Sequence, residues 1–205
     1  MLGNIQLSLM NLEARIKKTA LEMLSDRRVD TRKHVYLPDG IDLGGVKNWC
    51  ITVARKGIIV LVFDSETKFT TRLHTAIMQY IETAADYPIV QIVVILNNPP
   101  TKNSAVMKAA RLHNSDESKD TIQFEFFARK LMTFNITRHK IVPRHYILRD
   151  SETKRKLESM KLLSIFDSDP IATYYGAKVG DIFVVLRNNN NHGAFESYRR
   201  VVASH

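Results

Sequence analysis

Two short runs of apolar, largely β-branched residues constrain the fold of this 205-residue chain more than any other feature. They span residues 58–63 (IIVLVF) and residues 89–96 (IVQIVVIL), and only Gln91 interrupts them. Because neither run alternates between apolar and polar residues, both faces of each predicted strand must be covered. The chain therefore favours an α/β fold in which these two strands are internal to a sheet.

The segments around these runs predict the other elements of that sheet. Apolar residues three and four apart define an amphipathic helix over residues 4–28 and another over residues 71–87. Further strands are predicted at residues 49–54 and 121–127. The order strand, helix, strand, helix, strand favours right-handed crossovers. We expect a small, mostly parallel sheet flanked by helices.

Two further segments complete the N-terminal part of the prediction. Ser104 is a plausible N-cap for a helix over residues 104–113, because its hydroxyl can accept a hydrogen bond from a free amide. Residues 30–47 contain one proline and several glycines, and we expect loop or irregular strand there.

After about residue 138 the pattern changes to short elements separated by turn residues, so we predict two modules, residues 1–138 and residues 139–205. The sequence Ser168-Asp169-Pro170 is typical of a helix start, and Gly176 follows where a left-handed residue would end that helix. Strands are predicted at residues 182–187 and 195–202, joined by an Asn/Gly-rich loop. We expect a small mixed α/β module.

The charge and the single cysteine limit the partners. A net charge of +9 favours an anionic environment, most often nucleic acid, but no basic block is present, so the contact is expected to be diffuse and independent of base sequence. Cys50 is expected to be a core residue in a reducing compartment, with a nucleophilic role as the weaker alternative. No apolar run approaches the roughly 18 residues that span a membrane, so no membrane partner is expected.

The sequence contains no recognisable active site. The turn after Phe63 lacks a glycine that would let the backbone approach a phosphate, and no Walker-type motif occurs. His139 and His145 lack the two further ligands that a metal site needs, so we interpret both as structural. The carboxylates form no pair suited to general acid–base catalysis. We expect no cofactor, no metal and no small-molecule substrate.

Two long motifs occupy the second module. Residues 134–145 read FNITRHKIVPRH and residues 169–180 read DPIATYYGAKVG, with Ser-Tyr-Arg following at residues 197–199. The first resembles the Asn-Ile-Thr-x-His-x-Leu-Val-Pro-x-His motif of the fifth, shared subunit of eukaryotic DNA-directed RNA polymerases and its shorter archaeal counterpart. The second resembles that family's Asp-Pro-Val-Ala-x-Tyr-x-Gly-x-Lys-x-Gly. Weaker matches continue upstream in order, so the resemblance covers the whole chain.

The resemblance implies a non-catalytic polymerase subunit. In the family, the N-terminal module forms part of the lower jaw beside downstream duplex DNA, and the C-terminal module packs on the largest subunit. The DNA-proximal loop would comprise Pro99, Pro100, Thr101, Lys102, Asn103 and Ser104. The assembly motif would comprise His139, Val142, Pro143, His145, Asp169, Pro170, Tyr174, Gly176, Lys178, Gly180, Tyr198 and Arg199. Caps and turns alone also explain Pro170, Gly176 and Gly180.

One segment departs from the family pattern. Residues 162–166 read LLSIF where the family usually has Leu-Pro-basic-Ile-Gln, so the contact with the largest subunit is expected to be reshaped. The archaeal relative has only the second module, so a two-module chain favours a eukaryotic or viral source. We expect a homologue from a large cytoplasmic DNA virus, located in the host cytoplasm and the virion, with the nucleus as the alternative.

Two other functions compete with a polymerase subunit. A free-standing basic DNA-binding accessory protein would share the positive charge but would not explain the second module. An unrecognised α/β enzyme would need a cleft with paired titratable groups. The order of the two motifs favours the polymerase subunit.

Overall fold

The computed structural model describes residues 2–83, 87–101, 104–108, 122–189 and 193–204. The chain divides into two compact units, Met1–Phe134 and Asn135–His205. This division lies slightly before residue 138.

Five strands form one sheet in the N-terminal unit, in the order β1-β2-β3-β4-β5. They are β1 (Val35–Leu37), β2 (Asn48–Val53), β3 (Ile58–Phe63), β4 (Gln91–Leu96) and β5 (Gln123–Ala128). Parallel pairing is confirmed for β3 with β4 and for β4 with β5. Strands β1, β2 and β3 pair antiparallel, so the sheet is mixed. Only four residues, 54–57, separate β2 from β3, too few for the crossover that a parallel pair needs.

The prediction that the central strands are covered on both faces is confirmed. Every residue of β3 is buried, as is β4 after its first residue. One face packs in a core with α2 (Thr71–Thr83), which contributes Leu73 and Ile77. Helix α1 (Leu2–Asp26) buries four apolar residues with the predicted spacing of three and four: Ile16, Ala20, Met23 and Leu24. Burial of these apolar side chains is the main stabilising contribution to the unit.

The C-terminal end of α1 is closed by backbone hydrogen bonds. The Arg28 amide donates to Ser25 O and the Val29 amide donates to Leu24 O, both at 2.9 Å. Arg28 adopts a φ of 66°, a position where helices usually carry glycine. The neighbouring guanidinium of Arg27 forms a 2.8 Å ion pair with Glu125 on β5, which ties this end of the helix to the sheet.

The loop before β2 is held by one buried side chain. Asn48 donates from Nδ2 to the carbonyl oxygens of Ile41 and Val46, both at 2.9 Å, and its Oδ1 accepts from the Ile41 amide at 3.1 Å. The short strand β1 lies within the segment that was predicted as loop or irregular strand. The structure of this segment therefore depends on the Asn48 hydrogen bonds together with the burial of Ile41 and Leu43 in the core.

The C-terminal unit is built on a second sheet, in the order β6-β8-β9-β7. Its strands are β6 (Arg144–Ile147), β7 (Leu163–Phe166), β8 (Ile182–Asn189) and β9 (Gly193–Val202). The predicted strands at residues 182–187 and 195–202 are confirmed as parts of β8 and β9. Strand β8 pairs antiparallel with both β6 and β9, whereas β7 pairs parallel with β9 at one edge. The expected mixed module is therefore present.

Two helices accompany this sheet, α3 (Ser151–Glu158) and α4 (Pro170–Tyr175). Helix α3 was not predicted from the sequence, although its N-cap residue Asp150 has a favourable side chain, which accepts from the Thr153 amide at 2.7 Å. The core of the unit contains one residue from β7, two from α4, two from β8 and one from β9: Ile165, Ile171, Ala172, Phe183, Val185 and Val201.

Candidate functional site

The Asp-Pro motif builds and ends α4. Asp169 Oδ1 accepts from the Ile171 amide at 2.8 Å, and Pro170 occupies the first helical position, where no amide hydrogen is needed. Gly176 ends the helix with a φ of 62°, and its amide donates to Thr173 O at 3.0 Å. The predicted cap residues are confirmed. Their hydrogen bonds explain the motif without any external contact.

The rest of this motif forms the turn into β8. The Lys178 amide donates to Asp181 Oδ2 at 2.8 Å, and the Gly180 amide donates to Val201 O at 3.0 Å. Gly180 adopts a φ of 94°. Tyr174 is buried, and its ring meets that of Tyr175 edge to face at 5.4 Å between centroids. These residues hold α4 against the sheet.

The first motif forms a short connection into β6. Asn135 caps a 3-10 helix, Ile136–Arg138, by accepting from the Thr137 amide at 2.9 Å. His139 is exposed, and its Nδ1 accepts from the Ile141 amide at 3.3 Å. Val142 is half-buried against the core of the unit. Most of this motif therefore also has a structural role.

His145 is the second histidine of the first motif. Its ring is half-buried, with Nδ1 2.7 Å from Pro143 O and an edge contact to Phe183 at 6.0 Å. Burial lowers the pKa of His145 below its ordinary value of 6.5, and the positive charges of Arg199 and Arg187 lower it further. The Pro143 carbonyl and the Asp169 carboxylate act in the opposite direction without reversing the shift. The neutral ring is therefore favoured in the folded unit.

This shift predicts a loss of stability in mild acid. Because the pKa of His145 is lower in the folded than in the unfolded chain, its contribution is complete above pH 6.5 and falls as the pH drops below that value. Chemical unfolding monitored at several pH values between 7.5 and 5 measures the slope. The H145Q variant is expected to show a shallower slope, whereas H139Q, at an exposed position, should match the wild type. Equal slopes in all three proteins would contradict the prediction.

The last predicted motif lies on β9. The Tyr198 hydroxyl donates to Glu196 Oε2 at 3.1 Å, and this bond to a carboxylate raises the pKa of Tyr198. Arg199 is half-buried, and its Nε is shielded from water. Among the residues that the structure describes, no atom accepts a hydrogen bond from that Nε. Arg199 is thus a member of the assembly motif whose side chain the local contacts do not explain.

Large apolar side chains are exposed on the C-terminal unit. The most exposed are Ile141 at 84% and Leu163 at 67%, and others are Met160, Phe166 and Val179. Leu163 and Phe166 belong to β7, an edge strand formed by the segment that departs from the family pattern. The sequence analysis noted the departure but missed the strand and the exposure. An apolar segment in place of polar family residues was the available signal.

The predicted DNA-proximal loop follows β4 at the carboxyl end of the parallel strands. Pro99 and Pro100 are half-buried and Thr101 is exposed, whereas Lys102 and Asn103 lie outside the described residues. Ser104 Oγ accepts from the Met107 amide at 3.2 Å, which confirms the predicted N-cap of the helical segment at 105–108. The predicted continuation to residue 113 is also outside the described residues. Nothing in these contacts assigns a ligand to the loop.

The described residues offer little for catalysis. Among the described residues that line a groove of about 850 Å³ beside α2, Asp42 is the single carboxylate, and none is a histidine or a cysteine. Within the described ranges, no three His, Cys, Asp or Glu side chains cluster as metal ligands. Burial raises the pKa of the Cys50 thiol to about 11, which disfavours the reactive thiolate. No helix in the described part of the chain is long and apolar enough to cross a membrane.

Comparisons with known proteins assign the family. Residues 134–201 match the family described as RNA polymerase Rpb5, C-terminal domain. A Dictyostelium discoideum protein, DNA-directed RNA polymerases I, II, and III subunit rpabc1, is 27% identical over 91% of this chain and 95% of its own length. DNA-directed RNA polymerase subunit Rpo5 of Methanothermobacter thermautotrophicus is 39% identical over 34% of this chain and 97% of its own length. With both motifs in place, the chain belongs to the family of subunit 5 of DNA-directed RNA polymerases.

Proposed function

We propose that this chain is a non-catalytic, structural subunit of a multisubunit DNA-dependent RNA polymerase and that its C-terminal unit assembles on the largest subunit. The observation that carries the proposal is the match to the archaeal relative, because that polymerase subunit corresponds over 97% of its length to a segment of only 75 residues. By the resemblance of the two motifs, that segment corresponds to the C-terminal unit, so the archaeal subunit would have little else with which to assemble. The same unit is therefore the best candidate for assembly in this protein.

The exposed apolar surface of this unit supports the same proposal. Leu163 on β7 exposes a large apolar side chain at this edge of the sheet, and exposed apolar area is a common feature of interaction sites. Strand β7 also presents an open sheet edge to which another chain can add a strand. Assembly on a large partner would cover both features.

For the N-terminal unit we propose the jaw position beside downstream duplex DNA. Residues 97–101 follow β4 at the same sheet edge as the loop after β3, and Asn97 Nδ2 donates to Ser65 O of that loop at 3.2 Å. The chain carries a net charge of +9 without a basic block. Contacts of this kind are weak, independent of base sequence and sensitive to salt.

The origin and location of the protein are also proposals. The apolar replacement at residues 162–166 is what a homologue with its own polymerase partners would carry, and we propose a large cytoplasmic DNA virus as the source. The host cytoplasm and the virion follow as its locations, with the nucleus as the alternative.

Affinity isolation of the tagged protein from its native source tests the proposed function. The expected result is co-purification of two very large polymerase subunits. Recovery of the chain alone, with retained DNA binding, would favour the free-standing DNA-binding accessory protein instead.

Division into two fragments tests the proposed roles of the units. Residues 135–205 are expected to capture the largest subunit, whereas residues 1–134 are not. We start the fragment at residue 135 because Asn135 caps the helix that precedes β6 and Ile136 packs against the core. Capture by residues 1–134 alone would reverse the assignment. The fragment is near the size at which a single core is marginally stable, so binding should raise its melting temperature.

A further inference from the structure

Arg199 lies where the core of the C-terminal unit meets the surface. In the register of the sheet, its partner on β8 is Phe183 and its partner on β7 is Leu163. Directly paired residues point to the same face of a sheet. Phe183 is fully buried and Leu163 is 67% exposed, so Arg199 stands in the sheet between a core residue and a surface residue.

The hydrogen bonding of Arg199 is incomplete within the described part of the unit. Its Nε is shielded from water and has no acceptor there. A donor in this state destabilises a protein, and buried donors in native structures are nearly always paired. An acceptor from another molecule would remove that penalty.

Charged groups of both signs lie around His145, close to Arg199. The positive charges of Arg199 and Arg187 and the negative charge of Asp169 all act on the His145 ring. The nearby Asp169 carboxylate already caps α4. Other carboxylates of the unit are likewise engaged: Asp150 with Thr153, Asp167 with Ser204, Asp181 with Lys178, and Glu196 with Tyr198.

We infer that Arg199 is the anchor for an aspartate or glutamate of another polymerase subunit, and that the apolar residues beside that carboxylate pack on Leu163. This inference rests on the proposed function and names the chemistry of the partner. A carboxylate that approaches the guanidinium from the side accepts two parallel hydrogen bonds, from Nε and from one Nη, after a small rotation of the side chain. Arginines with a buried stem are frequent anchors of protein interfaces.

Capture of the polymerase by the full-length chain provides the first test. R199Q is expected to reduce the recovered large subunits at least about tenfold, because it leaves a partner carboxylate unpaired in the interface. The matched variant R187Q, on the same face, should stay within about twofold of the wild type. Equal capture by R199Q and the wild type would overturn the inference.

The melting temperature of the free chain separates binding from folding. Since Nε has no acceptor in the described unit, R199Q should melt no lower than the wild type. A clear decrease would mean that Arg199 is a structural residue, and the inference would fail.

Carbodiimide cross-linking of the isolated complex gives a direct readout. In R199K the side chain carries an amine, which the reagent can condense with an adjoining carboxylate to form an amide. Mass spectrometry is expected to find this amide between R199K and an aspartate or glutamate of another subunit, and not from R187K. A cross-link confined to this chain would refute the inference. If the wild-type chain captured no polymerase at all, the proposed function itself would fail.

Discussion

Replacement of Gly57 by alanine is expected to destabilise the N-terminal unit by about 3 kcal/mol or more. Gly57 adopts a φ of 59° between β2 and β3, and a Cβ there would collide with the backbone oxygen of Pro88 and lie 3.1 Å from the amide nitrogen of Val90. The Gly57 carbonyl also accepts from the amides of Val90 and Gln91, which direct the chain into β4. The backbone therefore has little room to move away.

The control for this prediction is Gly44, where the same substitution meets open space. Gly44 has a φ of 68° with no atom within 4 Å of an added Cβ, so G44A should cost only the conformational strain, about 1 kcal/mol. Urea unfolding of both variants, with the free energies of unfolding compared, measures the difference. Similar losses of unfolding free energy in the two variants would show that the collision with Pro88 does not contribute to the destabilisation by G57A.

Replacement of Asn48 by alanine is expected to cost about 3 kcal/mol as well, for a different reason. The Asn48 side chain forms three hydrogen bonds with the backbone of Ile41 and Val46, and Asn48 is buried. Alanine would leave those groups either unpaired in a buried site or exposed by opening of the loop. Urea unfolding should show the loss of stability, and limited proteolysis should show faster cleavage within residues 38–47.

N97A is the matched control for N48A. Asn97 is exposed and donates a single 3.2 Å hydrogen bond to Ser65 O, so its loss should cost no more than about 1 kcal/mol. If N48A were as stable as N97A, the loop before β2 would have to be held by contacts other than the asparagine side chain.

The elements that the sequence predicted well are those whose side chains are apolar in a regular pattern. Strands β3 and β4 are buried on both faces, and α1 buries Ile16, Ala20, Met23 and Leu24 on one stripe. The caps of α4 were also predictable, because Asp169, Pro170 and Gly176 each have a conformational preference that acts locally. Local propensity and burial agree in these elements.

Strand β7, unlike the locally capped helix α3, was missed because it depends on a distant part of the chain. Strand β7 buries only Ile165, and it exists because residues 163–166 pair with residues 199–202 of β9. The unfilled hydrogen-bonding capacity of Arg199 likewise arises from its position between Phe183 and Leu163 in the folded sheet. No local sequence pattern indicates such pairings. The sequence therefore identified Arg199 as the last residue of the family motif but did not give the structural reason for its presence.

The open edge at β7 affects how much of the unassembled protein can remain in solution. Where the family usually has proline, this strand has Leu163, and proline is a residue that prevents edge strands from pairing with foreign chains. A copy that has not found its partner therefore exposes both apolar side chains and free backbone groups to other unassembled copies. We expect low solubility to limit the amount of this subunit that can accumulate before it assembles into the polymerase. Balanced co-expression with the large subunits is therefore expected to be necessary for obtaining it intact.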